Sequence, residues 1–412
     1  MGGRTTSMPD ADVVVVGAGA VGLATAIGLC NLGIRVLVVD AAPELPEAPD
    51  GPAQLRVSAL TRASEYILTN LGVWSALDPA RLASFEDMRV WDSGNRAELH
   101  FAAADIGAGH LGTMVENSAL VATLATTLRE RHQERCAWHL GAAVDALHID
   151  ARGVLVRAGG AHINAAWIIG ADGGNSRVRE LADIPVETRD YEQSAVVANL
   201  RVATGHEATA WQRFLPGGPI ALLPLAGDYA SIVWSTTPEH AAQLIEMSPD
   251  AFNRAVAEAF EHRFGEVVWS GARGQFPLRR LRAVSYVRDR LALVGDAAHT
   301  IHPLAGQGLN LGLLDAAALA EVAGTAIQHS RDPHRLSVLR RYERWRKAHN
   351  VLTQNAMDVL RRVFAEQRVP LATARGIGLG AVNASGGVKR VLSRFASGLS
   401  GDLPVIARRT RP

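Results

Sequence analysis

The sequence predicts an α/β protein: a Rossmann-like dinucleotide-binding domain with an inserted antiparallel-sheet substrate domain and a C-terminal helical region. Three observations predict it. A valine-rich strand, the glycines of GAGAVG and an apolar helix to about Leu32 precede a second strand that closes on Asp40. The stretch Leu291–Asp315, LALVGDAAHTIHPLAGQGLNLGLLD, puts an acid at the carboxyl end of a short strand, where open α/β sheets bind ligands, and then a Gly- and Pro-rich loop into a helix. Between these, Pro185–Tyr286 reads as short alternating strands with turn residues between them.

Composition narrows the classes. At 412 residues the chain exceeds one small core, and 48% hydrophobic with 20% charged residues is globular rather than disordered. A net charge of +1 gives no electrostatic case for nucleic acid. The charge is uneven: from Arg361 onward ten Lys and Arg face only Glu366 and Asp402. Cys30 and Cys136 lack metal-ligand spacing, so neither a zinc site nor a disulfide scaffold is expected, and a reducing compartment fits. Val13–Cys30 is an uncharged run of eighteen residues, but glycines interrupt it and acids precede it. A strand–turn–helix explains it better than a membrane span or signal peptide.

Taken in order, Asp12–Val16 is a buried parallel strand and Ile34–Val39 the next. Gly17 makes the tight turn, Gly19 lets backbone approach a pyrophosphate, and Gly22 allows close helix–strand packing. Asp40, 23 residues after Gly17, is placed to accept from a ribose hydroxyl. An ADP-containing cofactor follows. Ser58–Leu71 reads as helical, Phe85–Trp91 and Leu99–Phe101 as strands, and Thr113–Val115 as a strand entering a helix from Asn117 to about Arg129. His139–His148, Val154–Val156 and His162–Ile163 suggest an antiparallel meander, and Trp167–Ile169 a further buried strand ending in GADGGNSRVR. Strands are expected at Ser194–Arg201, Ala208–Phe214, Ala221–Pro224 and Tyr229–Ser235. A helical interlude runs from Pro238 to about Phe264, and Phe276–Leu278 and Ala283–Tyr286 return the chain. Helices Ala316–His329 and Pro333 to about Phe364 follow. The corresponding division is 10–84, 112–184 and 287–364 for the cofactor domain, 85–111 and 185–286 for the substrate domain, and 365–412 for a basic tail.

Several residues remain two-sided on chemistry alone. Arg56 is either a pyrophosphate contact or a surface arginine. His299 and His302 either move protons or hydrogen-bond backbone. Tyr229, Gln212 and Arg213 are pocket candidates or ordinary sheet residues. Val388, Val391, Leu392 and Phe395 fall at i, i+3, i+4 and i+7 beside Lys389, Arg390 and Arg394. That helix either meets an anionic membrane or a partner, or packs on its own domain.

GAGAVG with Asp40, GADGGNSRVRE and GDAAHTIHPLAGQGLNLGLLDAAALAE together resemble the single-component FAD-dependent aromatic hydroxylases of the p-hydroxybenzoate hydroxylase fold. The HPLAGQGLNLG form is similar to that of the ubiquinone-biosynthesis hydroxylases, and WQRFLPGGPIALLPL and YERWRKAHN support it. The resemblance spans about residues 10–365. It implies FAD, with NAD(P)H as a transient co-substrate, O₂, and hydroxylation of a polyprenyl phenol or benzoquinol through a C4a-hydroperoxyflavin. It implies that Gly17, Ala18, Gly19, Ala20 and Gly22 hold the pyrophosphate and Asp40 the ribose. Arg56 and Asn117 would contact the ADP and ribityl parts, Val144 the adenine, Asp172 the pyrophosphate and nicotinamide, and Asp296 the ribityl chain. Gly306, Gln307, Gly308, Leu309 and Asn310 would offer backbone donors to the flavin, with Pro303 and His302 at its reacting face. A cytoplasmic enzyme peripheral to the inner membrane, working with a ubiquinone-biosynthesis complex, is the implied setting. A hydroxylase of a soluble aromatic compound and a non-catalytic FAD-binding subunit are the alternatives; the WxWxIP pattern of flavin halogenases is absent.

Overall fold

The computed structural model describes residues 10–51, 53–93, 98–301, 307–365 and 385–409. The chain opens with β1 (Ala11–Val16), α1 (Ala20–Cys30), β2 (Val36–Asp40), β3 (Val57–Thr61) and α2 (Arg62–Asn70). Then come β4 (Ala83–Phe85), β5 (Asp87–Asp92), β6 (Glu98–Ala102), β7 (Gly112–Glu116) and α3 (Asn117–His132). β8 (Cys136–Leu140), β9 (Val144–Ile149), β10 (Val154–Ala158), β11 (Ala161–Gly170) and α4 (Arg177–Leu181) follow. The middle supplies β12 (Val186–Val202), β13 (Thr209–Leu215), β14 (Gly218–Pro224), β15 (Tyr229–Thr236), α5 (Pro238–Glu246), α6 (Pro249–Ala259) and β16 (Val267–Ala283). The last elements are β17 (Val287–Arg288), β18 (Leu291–Leu293), β19 (His299–Thr300), α7 (Gln307–Gln328), α8 (Leu336–Ala365) and α9 (Gly386–Ala396).

The first sheet runs β17-β18-β11-β1-β2-β8, with β10 and β9 continuing from β11. Its centre is parallel: Val14 pairs with Ile168 and Leu37, and Ile169 with Ala292. Val13, Val14 and Val15 are fully buried, as a central strand covered on both faces requires. Small residues let helices approach closely. A Cβ on Gly28 would lie 3.1 Å from the Ala320 Cβ, which brings α1 against α7. α7 is long and apolar enough to cross a membrane, but most of it is buried inside the fold.

The second sheet runs β19-β16-β12-β15-β14-β13-β5-β6, antiparallel except where β13 runs parallel to β5. A third, β3-β7-β4, lies between them in sequence.

Four expectations change. Ser58–Thr61 is strand, paired Ser58 to Val115 and Leu60 to Thr113, and the helix starts only at Arg62. His139 belongs to β8, parallel to β2, so the meander is β9–β10–β11. His162–Ile163 and Trp167–Ile169 lie on one unbroken strand. The Pro238–Phe264 interlude divides where Ser248 and Pro249 start a second helix, the serine accepting from Ala251 N at 3.3 Å.

Candidate active site

The end of the first sheet is built for a phosphate-bearing ligand. Gly17 has φ +107°, and a Cβ there would collide with the Ala171 carbonyl oxygen; a Cβ on Gly22 would collide with the Gly17 carbonyl. Both positions therefore demand glycine. Gly19 differs: it caps α1 with extended backbone and no side-chain cap, and nothing lies within 4 Å of the Cβ position. The unpaired N–H groups of the first turn of α1 thus face open space, a cradle for an anion. Ala18 precedes this turn and Ala20 opens it, and Asp40 holds the approach in place. Its Oδ2 accepts from Ala18 N at 2.5 Å and its Oδ1 from Ala42 N at 2.8 Å. Val144 is buried just beyond the turn in which Ala142 N donates to the Asp40 carbonyl at 2.9 Å.

Asp172 is more committed than its motif suggests. Its carboxylate accepts from Ser176 Oγ at 2.5 Å, Arg177 N at 2.7 Å and Val178 N at 3.1 Å, so it caps α4. Arg179, buried, donates to the carbonyls of Ala297 and Gly174, each at 2.8 Å. This arginine ties the Asp172 loop to the Asp296 loop, a tie that runs between residues distant in sequence.

A cavity of about 530 Å³ opens between the sheets and α9. Asp296, Thr300 and Gln307 line one side, Arg56 and Asn117 another, and the second sheet forms the roof. Asp296 turns an exposed carboxylate into this space, which is set deep in the protein; that depth pushes its pKa up. It has no hydrogen-bond partner among the described residues. A Cβ on Gly308 would lie 3.9 Å from its Oδ1. Arg56 is exposed, yet it lines the cavity and places its guanidinium over the Phe276 ring at 5.4 Å. Asn117 starts α3, its Oδ1 accepting from Ser58 Oγ at 2.7 Å.

At the start of α7 the Asn310 side chain is committed to the fold. Asn310 is buried, with Oδ1 accepting from Thr61 N at 2.8 Å and Ser64 Oγ at 2.7 Å while Nδ2 donates to the Ala59 carbonyl at 2.8 Å. Its amide therefore locks α7 to β3 and α2. Gln307, Gly308, Leu309 and Asn310 form the first turn, where N–H groups lack partners within the helix. His302, Pro303 and Gly306 lie outside the described residues.

His299 is not in an open loop. It is fully buried on β19, with Nε2 2.5 Å from Asp315 Oδ2. Asp315 also accepts from Gly295 N at 3.1 Å, Arg346 Nε at 2.8 Å and Asn350 Nδ2 at 3.2 Å. Burial alone would raise this carboxyl, but His299 and Arg346 beside it hold its pKa at about 2. One buried acid thus fixes the backbone next to Asp296. Its sequence signal was an acid inside the apolar run LLDAAALA.

Strand alternation sorts the roof candidates. Gln212 lines the cavity. Arg213 points the other way, donating to the Ala259 carbonyl at 2.6 Å and Glu261 at 2.7 Å. Tyr229 sits edge-on to Trp269, with centroids 5.7 Å apart.

α9 closes the cavity by an unexpected face. Ser393 is buried and lines the cavity with Ala396, while Lys389 pairs with Asp105 at 2.9 Å. Val388, Val391 and Leu392 of the apolar stripe remain exposed, 65% at Val391.

Residues 10–356 match the FAD-binding-domain family. The chain is 38% identical to 3-demethoxyubiquinol 3-hydroxylase of Escherichia coli, across 94% of this chain and 98% of that one. It is 37% identical to the ubiquinone hydroxylase UbiL of Rhodospirillum rubrum, across 94% and 90%. The crystal structure of p-nitrophenol 4-monooxygenase PnpA from Pseudomonas putida superposes with a TM-score of 0.75 at 20% identity, covering 94% of this chain and 98% of that one. That likeness concerns the fold.

Proposed function

Because the chain belongs to the FAD-binding-domain family and, within it, to the FAD-dependent hydroxylases of ubiquinone biosynthesis, we propose that it hydroxylates the ring of a polyprenyl phenol or benzoquinol. NAD(P)H would be the reductant and O₂ the oxygen donor. The observation that carries the reading is the cavity: a polar floor at Asp296 and the first turn of α7 faces a mostly apolar roof. An aromatic ring fits between such surfaces.

The donor set fits FAD. An open anion cradle at Gly19, an acid at the end of β2 and a deep carboxylate at Asp296 with no partner among the described residues match diphosphate, ribose and ribityl hydroxyls in turn. FAD, when bound, supplies the reduction and oxygen-activation chemistry that side chains lack. The chain's own residues do the rest. Gly17, Ala18, Gly19, Ala20 and Gly22 would hold the diphosphate, Asp40 the ribose through its free lone pairs, and Val144 the adenine. Arg56 and Asn117 would meet the diphosphate and ribityl parts from the cavity wall. Asp172 would act through the loop it caps, and Asp296 would bind the ribityl hydroxyls. Backbone donors of Gly306–Asn310 would meet the flavin edge, with His302 and Pro303 beside the reacting face. The apolar roof and α9 exclude water from the reacting ring. The three-segment cofactor domain and two-segment substrate domain belong to this proposal.

The purified holoenzyme should oxidise NAD(P)H faster when given a diprenyl phenol and return a ring-hydroxylated product. Turnover of soluble phenols alone would favour the soluble-aromatic alternative, and no turnover at all the non-catalytic subunit.

Peripheral membrane contact, within a biosynthetic complex, completes the proposal. Val388 and Val391 face outward on a helix that also carries the exposed Arg390 and Arg394, a pattern suited to an anionic bilayer, while Lys389 is paired with Asp105. The protein should sediment with phosphatidylglycerol vesicles and not with phosphatidylcholine ones. A V388E/V391E variant should stay in the supernatant with its fold intact. Equal sedimentation of variant and parent would remove the helix from the account.

A further inference from the structure

We infer that the side-chain amide of Gln212 is the hydrogen-bond partner that fixes a ring oxygen of the substrate, and so sets which ring carbon faces the oxidant. The inference rests on the hydroxylase reading above.

The argument starts from strand alternation. On β13–β15 the roof turns every second residue to the cavity, and around Gln212 these are Ala210, Ala221, Leu223 and Val233. All four are apolar. Ala221 pairs directly with Gln212, and Val233 pairs with Ala221, so the amide stands in an apolar row. Gln212 is only 7% exposed, and its amide has no hydrogen-bond partner among the described residues. A buried amide ordinarily finds partners for its two N–H donors and its carbonyl oxygen. Partners are not scarce on this strand: Arg213, on the opposite face, bonds both Ala259 and Glu261.

Among the described residues of this face the Ser231 hydroxyl also lacks a partner, but it sits elsewhere. It pairs with Leu223 and Asn199, next to the amide that Asn199 anchors on the Ala53 and Gln54 carbonyls. Gln212 instead stands two strands away, between β5 and β14. An amide can accept from a phenol O–H or donate to a phenolate or quinol oxygen, so either ionisation state of the ring is recognised. Apolar neighbours leave the rest of the ring to shape alone. A site built around such a bond discriminates strongly against a ligand that cannot make it.

The test uses the holoenzyme, a diprenyl phenol and its methyl ether, with binding read from the flavin spectrum. The parent should bind the phenol at least about 30-fold more tightly than the ether. Q212M, nearly isosteric, should bind the two within about threefold, keep its full flavin content, and release more peroxide per NAD(P)H. Its thermal midpoint without ligand should be unchanged or higher, because the amide removed faces the cavity and makes no side-chain hydrogen bond to another described residue. Q212L should behave alike. Unchanged discrimination in both variants, or a clear drop in their midpoints, would overturn the inference and leave Gln212 a structural residue. If the parent neither binds nor hydroxylates the phenol, the hydroxylase reading fails and takes this inference with it. If the parent does both and Q212M matches it, the inference fails alone.

Discussion

Replacing Asp315 with alanine is expected to cost about 3–5 kcal/mol of folding stability and most of the bound flavin. Asp315, His299 and Arg346 are all fully buried, and the carboxylate is the partner of both. Removing it leaves the Arg346 guanidinium charged with no counter-ion among the described residues, and burying such a charge unpaired is the costly half of a buried ion pair. Gly295 N loses its acceptor too, so the backbone carrying Asp296 is released. D315N keeps the shape but not the charge, and should fall between parent and alanine variant. The pH dependence has a definite sign. The folded pKa of about 2 lies below the ordinary 3.8, so the contribution is complete above pH 3.8. It declines as pH falls toward 2. Urea unfolding should therefore show the gap between parent and D315N narrowing across that window. A gap under about 1 kcal/mol at pH 7 would contradict the role given to Asp315.

Gly19→Val should separate folding from cofactor binding. Nothing lies within 4 Å of the Gly19 Cβ position, so the apo fold accepts a branched side chain. The same branch fills the cradle over the first turn of α1. Flavin affinity should fall by at least about 100-fold, roughly 2.7 kcal/mol, while circular dichroism and the apo unfolding midpoint stay close to the parent. Gly22→Val is the contrasting case, since its side chain would meet the Gly17 carbonyl and the fold itself should suffer. If G19V retains stoichiometric FAD, the cradle has been misplaced.

The part of the site legible in sequence is the part written in contiguous residues. A strand, three glycines, a helix and a terminal acid follow one another along Ala11–Asp40, so local geometry alone brings them together. What resisted was decided by partners far along the chain. Ser58–Thr61 continues a helical pattern, yet the edge offered by β7 makes it strand. Asp315 and Arg346 are 31 residues apart on different helices, and only their packing joins them. Asp172 carries the right motif, but its carboxylate is spent on its own helix. The apolar stripe of α9 was plain in the sequence and would ordinarily be buried. Ser393 is buried instead and Val391 exposed, because this helix serves as a cavity wall on one face and meets the outside on another.

The quinone profile of a strain lacking this chain tests the central claim most directly. The account predicts accumulation of a polyprenylated precursor short of one ring oxygen, restored to normal quinone by the parent protein and not by G19V, with the added oxygen labelled by ¹⁸O₂. An unchanged quinone profile in the deletion strain would contradict it.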